Sequence, residues 1–484
     1  MGLVGILIAL GLLIWLAYRG WSILLLAPAA ALLAAVFSGE PLLAHWTQTF
    51  MGSAAGFFAQ FFPLFLLGAL FGKLMDDSGS VSAIARFITE RLGPQHAMLA
   101  VVLAGAVVTY GGVSLFVAFF VLAPMAQELF REAGIPRRLM PAALALGTST
   151  FTMSALPGTP SIQNAIPMPF FGTTLFAAPG LGIVATIMMM GFGMWWLSRA
   201  ETLAKRSGEG FSEGTEHPTD SIAKDQLIRE RATTAREFDP AELEHGRHGD
   251  NLPPIGLALL PLAIVLGVNF LMAVVLLPRL DFSFLEQERW GSTSLPAVAG
   301  VWSVAVALAT AILVLITIHR ERLPALRESM DAGANASVLP VLSVASLVGF
   351  GAVVAALPAF ETVRDWVLSI EGGPLVSLPF AVNVLAALTG SASGGLTIAL
   401  NALGETYVRL ANEQGIDPAL MHRIAVIGAG TLDTLPHNGA VVTLLAVCGT
   451  SHRESYRDIA GVAILGAFIA LAVVIALGAA LGSF

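Results

Sequence analysis

Residues 134–165 read GIPRRLMPAALALGTSTFTMSALPGTPSIQNA, and residues 415–443 read GIDPALMHRIAVIGAGTLDTLPHNGAVVT. Gly134 and Gly415 stand 281 residues apart, and the Leu156-Pro157 and Leu435-Pro436 pairs 279 apart. In both stretches a Gly-Ile turn opens an apolar run that Pro, Gly and small polar residues interrupt midway. A helix inside a bilayer cannot leave backbone groups unpaired unless protein, water or a ligand satisfies them. Two interrupted helices at matching positions of two halves therefore point to a transporter's binding site. Chance similarity between two Ala/Gly/Leu-rich segments is the plain alternative.

Composition sets the class. The 484 residues are 56% apolar and 12% charged, with a mean hydropathy of +0.79, whereas roughly a quarter of a soluble domain is charged. Apolar runs of about 20 residues recur from end to end, the mark of an all-α polytopic membrane protein. The segments do not alternate in polarity, so a β-barrel is excluded. The lone Cys448 leaves no intrachain disulfide framework. Residues 3–18 carry no preceding cationic region and no A-x-A site, so they read as a first span and not a removed signal peptide.

Spans are expected near 3–18, 21–37, 53–75, 138–174 (broken) and 179–198, making a first repeat over 1–198. A second repeat over 253–484 follows the same order, near 253–277, 295–318, 337–358, 421–448 (broken) and 458–482. Between the third and fourth spans of each half lie two short apolar runs joined by a polar tip. The first pair is 97–108 and a run to about 130, around Thr109-Tyr110-Gly111-Gly112-Val113-Ser114. The second is 375–388 and a run to about 410, around Thr389-Gly390-Ser391-Ala392-Ser393-Gly394-Gly395. Runs of 10–14 residues are short for crossing, so a re-entrant helical hairpin fits, with a pair of full spans as the alternative.

Five crossings per half is an odd number, so the halves insert as inverted repeats. With both termini outside, the inner segments hold 12 Lys/Arg, and the 199–252 loop adds eight. The outer segments hold only Arg279, Arg289, Arg364, Arg409 and Arg423. The positive-inside rule supports that orientation in a bacterial inner membrane. Trp15, Trp21, Trp195, Trp196 and Trp290 fall near span ends, as an aromatic belt would place them. Residues 201–251 hold twelve Asp/Glu and seven Lys/Arg, a solvated cytoplasmic linker. Most of the net charge of −8 comes from it and says nothing of partners such as nucleic acid, which none of the motifs suggests. His217, His245 and His248 lack fixed ligand spacing, so no metal site is expected there.

The hairpin tips and the breaks carry the candidate chemistry. A Gly/Ser turn halfway across the membrane buries a half-helix N-terminus with free N–H groups, which attracts a small anion. Ser391, Ser393, Gly394 and Gly395 are the candidates in the second tip; Thr109, Gly111, Gly112 and Ser114 are their counterparts. Small residues that merely permit close helix packing are the competing explanation. In the first break Ser154, Thr159, Ser161 and Asn164 offer hydroxyls, an amide and freed carbonyls, with Gln163 beside them. The second break aligns Asp433, Thr434, His437 and Asn438 against them. An acid and an imidazole at membrane depth are functional candidates by default. Asp433 and His437 are therefore the expected coupling residues, for H⁺ or for Na⁺, with a purely structural pair as the alternative. Lys73, Asp76 and Asp77 read as an interfacial charge cluster at a span end.

Matched hairpins and broken helices in inverted halves resemble the ion transporter superfamily of secondary carriers. Within it the chain is similar to the gluconate permease (GntP) family, as a divergent member. The likeness rests on Leu70-Phe71-Gly72-Lys73-Leu74-Met75 with Gly79, on the hairpin 97–131 and on the break at 154–160. Gluconate carriers typically show an aromatic-acidic-Val-Gly first tip and a His/Pro-rich first break. Here the tip is Tyr110-Gly111-Gly112-Val113-Ser114 and the break has neither His nor acid. The resemblance implies an H⁺-driven symporter of sugar acids, hydroxy acids or D-serine, working as a homodimer without a cofactor. A Na⁺-coupled, citrate-like carboxylate carrier and an anion channel on the same fold are the alternatives. No H-E-x-x-H or Ser-nucleophile motif suggests an enzyme.

Overall fold

The computed structural model describes residues 2–18, 21–211, 252–436 and 438–484. His437 and the linker histidines His217, His245 and His248 lie outside them. All regular structure among the described residues is helical. The first half runs α1 (Gly2–Tyr18), α2 (Ile23–Ser38), α3 (Leu42–Asp77), α4 (Ser80–Leu92), α5 (Ala97–Tyr110) and α6 (Leu115–Glu132). A fragmented stretch follows as α7 (Met140–Thr148), α8 (Phe151–Ser154), α9 (Ile162–Ala165) and α10 (Met168–Phe171), before α11 (Pro179–Arg206). The second half repeats the order with α12 (Ile255–Arg279), α13 (Leu295–Ile318), α14 (Leu326–Ala356), α15 (Phe360–Leu368), α16 (Pro374–Thr389) and α17 (Ala392–Gln414). Its broken helix is α18 (Pro418–Ala429) and α19 (Gly439–Cys448), and α20 (His452–Leu481) closes the chain.

Among the described residues six helices, α3, α11, α12, α13, α14 and α20, are long and apolar enough to cross a membrane. Only 33% of the apolar window of α3 and of α11 is buried within the chain, so their remaining apolar surface is left for lipid. Differences from the sequence reading have local causes. The third spans start early, at Leu42 and Leu326. The last helix of the first half continues to Arg206, into the segment read as linker. The amphipathic connectors α4 and α15 are additional; α4 carries Val81, Ile84, Ile88 and Leu92 at helical spacing and meets the next helix at 100°. The Trp196 indole N–H donates to Asp458 at 3.1 Å.

The Gly-Ile turns have one geometry in both halves. Gly134 and Gly415 sit at φ +64° and +66°. The amides of Ile135 and Ile416 reach back five residues to the carbonyls of Phe130 (2.9 Å) and Ala411 (2.8 Å). This is the Schellman stop, with Gly in the left-handed position and an apolar residue after it. A Cβ at Gly415 meets nothing within 4 Å, so only the backbone opposes substitution. Gly415→Ala is therefore expected to cost about 1–2 kcal/mol. A melting curve in detergent that coincides with the wild type would refute this.

Helix partners cross between the halves. The third helix of each half packs on the second helix of the other, α3 on α13 and α14 on α2, and α3 also packs on α14. The last helices, α11 and α20, run against each other. Beyond each break the chain meets the second hairpin arm of the opposite half, α10 on α17 and α19 on α6. Contacts of α14 with α17 and of α10 with α13 join the two groups of helices, and the candidate site lies at this junction.

Candidate functional site

The first break frees carbonyls, and the protein takes them up. Arg423 of α18 is fully buried. Its Nε donates to the Ala177 carbonyl (3.0 Å) and its Nη2 to those of Ala177 (2.7 Å) and Leu175 (3.3 Å). Its Nη1 donates to the Ser154 carbonyl and to Asn164 Oδ1, both at 3.4 Å. Asn164 in turn donates from Nδ2 to the carbonyls of Thr159 and Leu175, at 3.1 Å each. His422 completes the latch, with Nε2 3.1 Å from Asn164 Oδ1 and Nδ1 2.6 Å from the Thr173 hydroxyl. Tyr110, in the first tip, donates to the Pro157 carbonyl at 2.8 Å. Arg423 thus lies inside the protein, where the charge count had placed it outside. Removing it from that count leaves the positive bias intact.

The second break is held in the same way by its own half. His452 Nε2 stands 2.6 Å from the Pro436 carbonyl, and Tyr456 donates to that of Thr434 at 3.3 Å. Asn438 caps α19, its Oδ1 accepting from the amides of Ala440 (2.7 Å) and Val441 (3.4 Å). Its Nδ2 donates to the Gly390 carbonyl at 2.8 Å, tying this break to the second tip. In that tip the Ser391 hydroxyl caps α17 by accepting from the Gly394 amide at 3.0 Å, and lies 3.2 Å from the Ser393 hydroxyl.

Between the first break and the two tips lies a cavity of about 180 Å³. Typical sites for drug-sized ligands are roughly 300–1,000 Å³, so this one suits a smaller solute. Its polar lining comes from Thr109 and Ser114 of the first tip, Ser161 and Gln163 of the first break, Ser337 of α14 and Ser393 of the second tip. Leu64, Phe65, Gly68 and Ala69 of α3 form an apolar wall, and the α6 N-terminus at Leu115 and Phe116 faces in. No ionisable side chain among the described residues lines it. Gln163 is 5% exposed, and its Oε1 has no hydrogen-bond partner among the described residues.

The chain matches the model of the GntP family permease over residues 1–434. It belongs to the GntP permease family. It is therefore a transporter and an integral membrane protein. It is 40% identical over 481 residues to the uncharacterized transporter YxjC of Bacillus subtilis (strain 168), covering 98% of each chain. It is 30% identical over 164 residues to the high-affinity gluconate transporter of Escherichia coli (strain K12), 33% of this chain and 34% of that one. A solved YdaH transporter of Alcanivorax borkumensis aligns over 92% of this chain and 91% of that one, with 16% identity and a TM-score of 0.48.

Of the residues singled out in the permease from sequence, the cavity gathers Thr109, Gly112, Ser114, Ser161 and Ser393. The others stand elsewhere. Gly111, Gly394 and Gly395 give room to Leu262, Leu347 and the backbone of Ala386. Ser154 donates to the Thr150 carbonyl at 3.1 Å. Asn164 and Asn438 spend their amides on the latches just described. Thr159 and Thr434 are buried beside the breaks, outside the lining, and their hydroxyls have no partner among the described residues. Asp433 is half-buried in the second break and does not line the cavity. Lys73, Asp76 and Asp77 are 0%, 2% and 3% exposed, so they form no interfacial cluster but a buried one. Gln163, Ser337, His422 and Arg423 were missed as site residues. A cation inside the apolar α18 sequence was the available signal for the last.

Proposed function

We propose that this permease is a secondary active symporter that carries a small polyhydroxy carboxylate, gluconate or another sugar acid, together with H⁺. The observation that carries the reading is the state of the cavity hydroxyls. Thr109 donates to the Gly105 carbonyl (2.8 Å), Ser161 to that of Met153 (2.7 Å) and Ser337 to that of Ala334 (2.7 Å). A hydroxyl has one proton to give, so these three present only lone pairs to a ligand. Lone pairs repel carboxylate oxygens and accept from substrate hydroxyls, which favours a sugar acid over a dicarboxylate. One carboxylate has the α6 N-terminus with its positive dipole end to meet, beside the Gln163 side chain. Arg423 adds a positive charge directly behind Gln163 and Met153 through its bonds to Asn164 and Ser154.

Partner exchange between the halves supports an inverted repeat, with both hairpins re-entrant and both termini outside the bacterial inner membrane. In that arrangement the tips and breaks close over the substrate alternately, in a homodimer whose hairpin-bearing helices move against the rest. Asp433 and His437 are the second-break candidates for coupling, and Na⁺ is the alternative ion. The gluconate transporter relationship makes gluconate the first substrate to test.

Proteoliposomes holding the full chain are expected to accumulate labelled gluconate when the outside is made acid, and to lose it when a protonophore is added. Other sugar acids should compete better than succinate or citrate. Flux indifferent to the pH gradient would sink the proton coupling, and preference for a dicarboxylate would sink the substrate class.

A further inference from the structure

The last helices of the two halves run antiparallel and meet at both ends. At one end the Gly180 amide donates to the Phe484 carbonyl at 2.7 Å. At the other the Trp196 indole donates to Asp458. Sixteen residues of α11 separate these contacts, about 24 Å of helix rise and most of a hydrocarbon core of roughly 30 Å. The second contact therefore marks a bilayer surface. The sequence changes character at the same level. α11 is uncharged up to Ser198 and carries Arg199, Glu201, Lys205 and Arg206 beyond it. α20 carries His452, Arg453, Glu454, Arg457 and Asp458 and turns apolar at Ile459. A cavity of about 250 Å³ opens here between α11, the start of α20 and the turn before α7.

Three arginines, one carboxylate and two tryptophans line it. Arg138 is already spent. Its Nε and Nη2 fork onto Glu209 at 2.7 and 3.1 Å, and its Nη1 donates to Asp458 at 2.7 Å. Arg199 and Arg457 are exposed, and their guanidinium groups have no partner among the described residues. Three cations thus face two carboxylates, Asp458 and Glu209, which leaves one net positive charge and two unspent forks. Trp195, 55% exposed, lies one turn before Arg199 on the same row of α11, toward the hydrocarbon. We infer that this cavity holds the phosphodiester head of an anionic phospholipid such as phosphatidylglycerol. Arg199 and Arg457 clasp its oxygens, because a guanidinium meets a phosphate through two parallel N–H···O bonds. Trp195 packs on the glycerol and the first acyl carbons, as indoles do at a membrane interface. Basic pockets between membrane helices hold anionic headgroups in this way. The single excess charge matches one phosphodiester and disfavours a zwitterionic head, whose ammonium would meet the same arginines. Exposed Trp195 beside Arg199 offers a surface to an acyl chain, which a soluble phosphate cannot use. The bound lipid bridges α11 and α20, and so ties the two halves together at this surface.

The test titrates the full, delipidated chain in detergent with phosphatidylglycerol or with phosphatidylcholine of the same acyl chains. Native mass spectrometry counts the lipid retained, and melting curves report its effect. Each arginine beside an anionic head contributes about a fivefold factor, so the wild type is expected to prefer phosphatidylglycerol on the order of tenfold. It should also melt higher with that lipid. The Arg199→Gln/Arg457→Gln protein is expected to melt like the wild type without lipid, since neither side chain holds another, and to lose both the preference and the stabilisation. The Arg206→Gln/Arg453→Gln protein removes the same charge outside the cavity and should keep both. Full preference in the first variant, or equal loss in the second, would overturn the site. An equal rise in melting temperature from inorganic phosphate would show a free-anion site instead and overturn the lipid assignment. A changed subunit number in the first variant, with lipid retention intact, would make this face a contact between copies and overturn it too.

Discussion

An Arg423→Gln variant is expected to lose most of its folded, monodisperse population in detergent. All five N–H groups of the guanidinium are spent on the first break, on the carbonyls of Ala177 (twice), Leu175 and Ser154 and on Asn164 Oδ1. The Leu175 carbonyl keeps the Gly158 and Asn164 donors and Asn164 Oδ1 keeps His422, but glutamine's two donors sit on a stem too short for the carbonyls of both Ala177 and Ser154, which are left bare where no water can reach them. Each orphan costs about 1–3 kcal/mol, so the loss is on the order of 3–5 kcal/mol against a total stability of about 5–15 kcal/mol. Arg423→Lys should fall between the two, because an ammonium keeps the charge but cannot span the fork of acceptors. Size-exclusion profiles and melting curves of the three proteins check the order. An Arg423→Gln protein that elutes and melts with the wild type would show that the latch does not hold the break.

Gly395→Ala is expected to abolish transport with a smaller loss of stability. Its Cβ would lie 2.2 Å from the Ala386 nitrogen, 2.4 Å from the Ala386 Cα and 2.6 Å from the Leu385 carbonyl carbon. These are backbone atoms of α16, so no side-chain rotation relieves the clash and the two hairpin arms must part. Overpacking of this kind costs about 1–3 kcal/mol. The displaced tip carries Ser393, which lines the cavity, so uptake suffers more than folding. Gly394→Ala is the control. Its Cβ would meet the Leu347 Cδ1 at 2.6 Å, the far end of a flexible side chain, and a milder defect is expected. Equal uptake rates in wild type and Gly395→Ala would remove the close approach from the argument.

Much of this site was legible before any coordinates. The Gly-Ile turns were read as turns that open apolar runs, and each also closes the helix before it, because a left-handed glycine followed by an apolar residue has a local cause. The breaks fall where Pro and Gly interrupt apolar runs, again for local reasons: no N–H on Pro, no Cβ on Gly. The destination of the freed carbonyls was not legible. Sequence left them open to substrate or ion, whereas Arg423, 269 residues from Ser154, takes several of them. Which of two adjacent amides faces the cavity was hidden too. Asn164 turns to Arg423 and His422, while Gln163 turns inward, a choice made by packing across the halves.

By itself, then, the sequence determined what depends on neighbours along the chain. It set the membrane class through apolar run length, and the positions of tips and breaks through Gly, Ser and Pro. Tertiary structure alone decided what depends on approach across hundreds of residues. It put Arg423 inside, made Asn438 a cap, and buried Lys73, Asp76 and Asp77. It also turned the hydroxyls of Thr109, Ser161 and Ser337 into acceptors. The physical reason is that a hydrogen-bonding group has few protons and few lone pairs, and only the packed fold shows which are already taken.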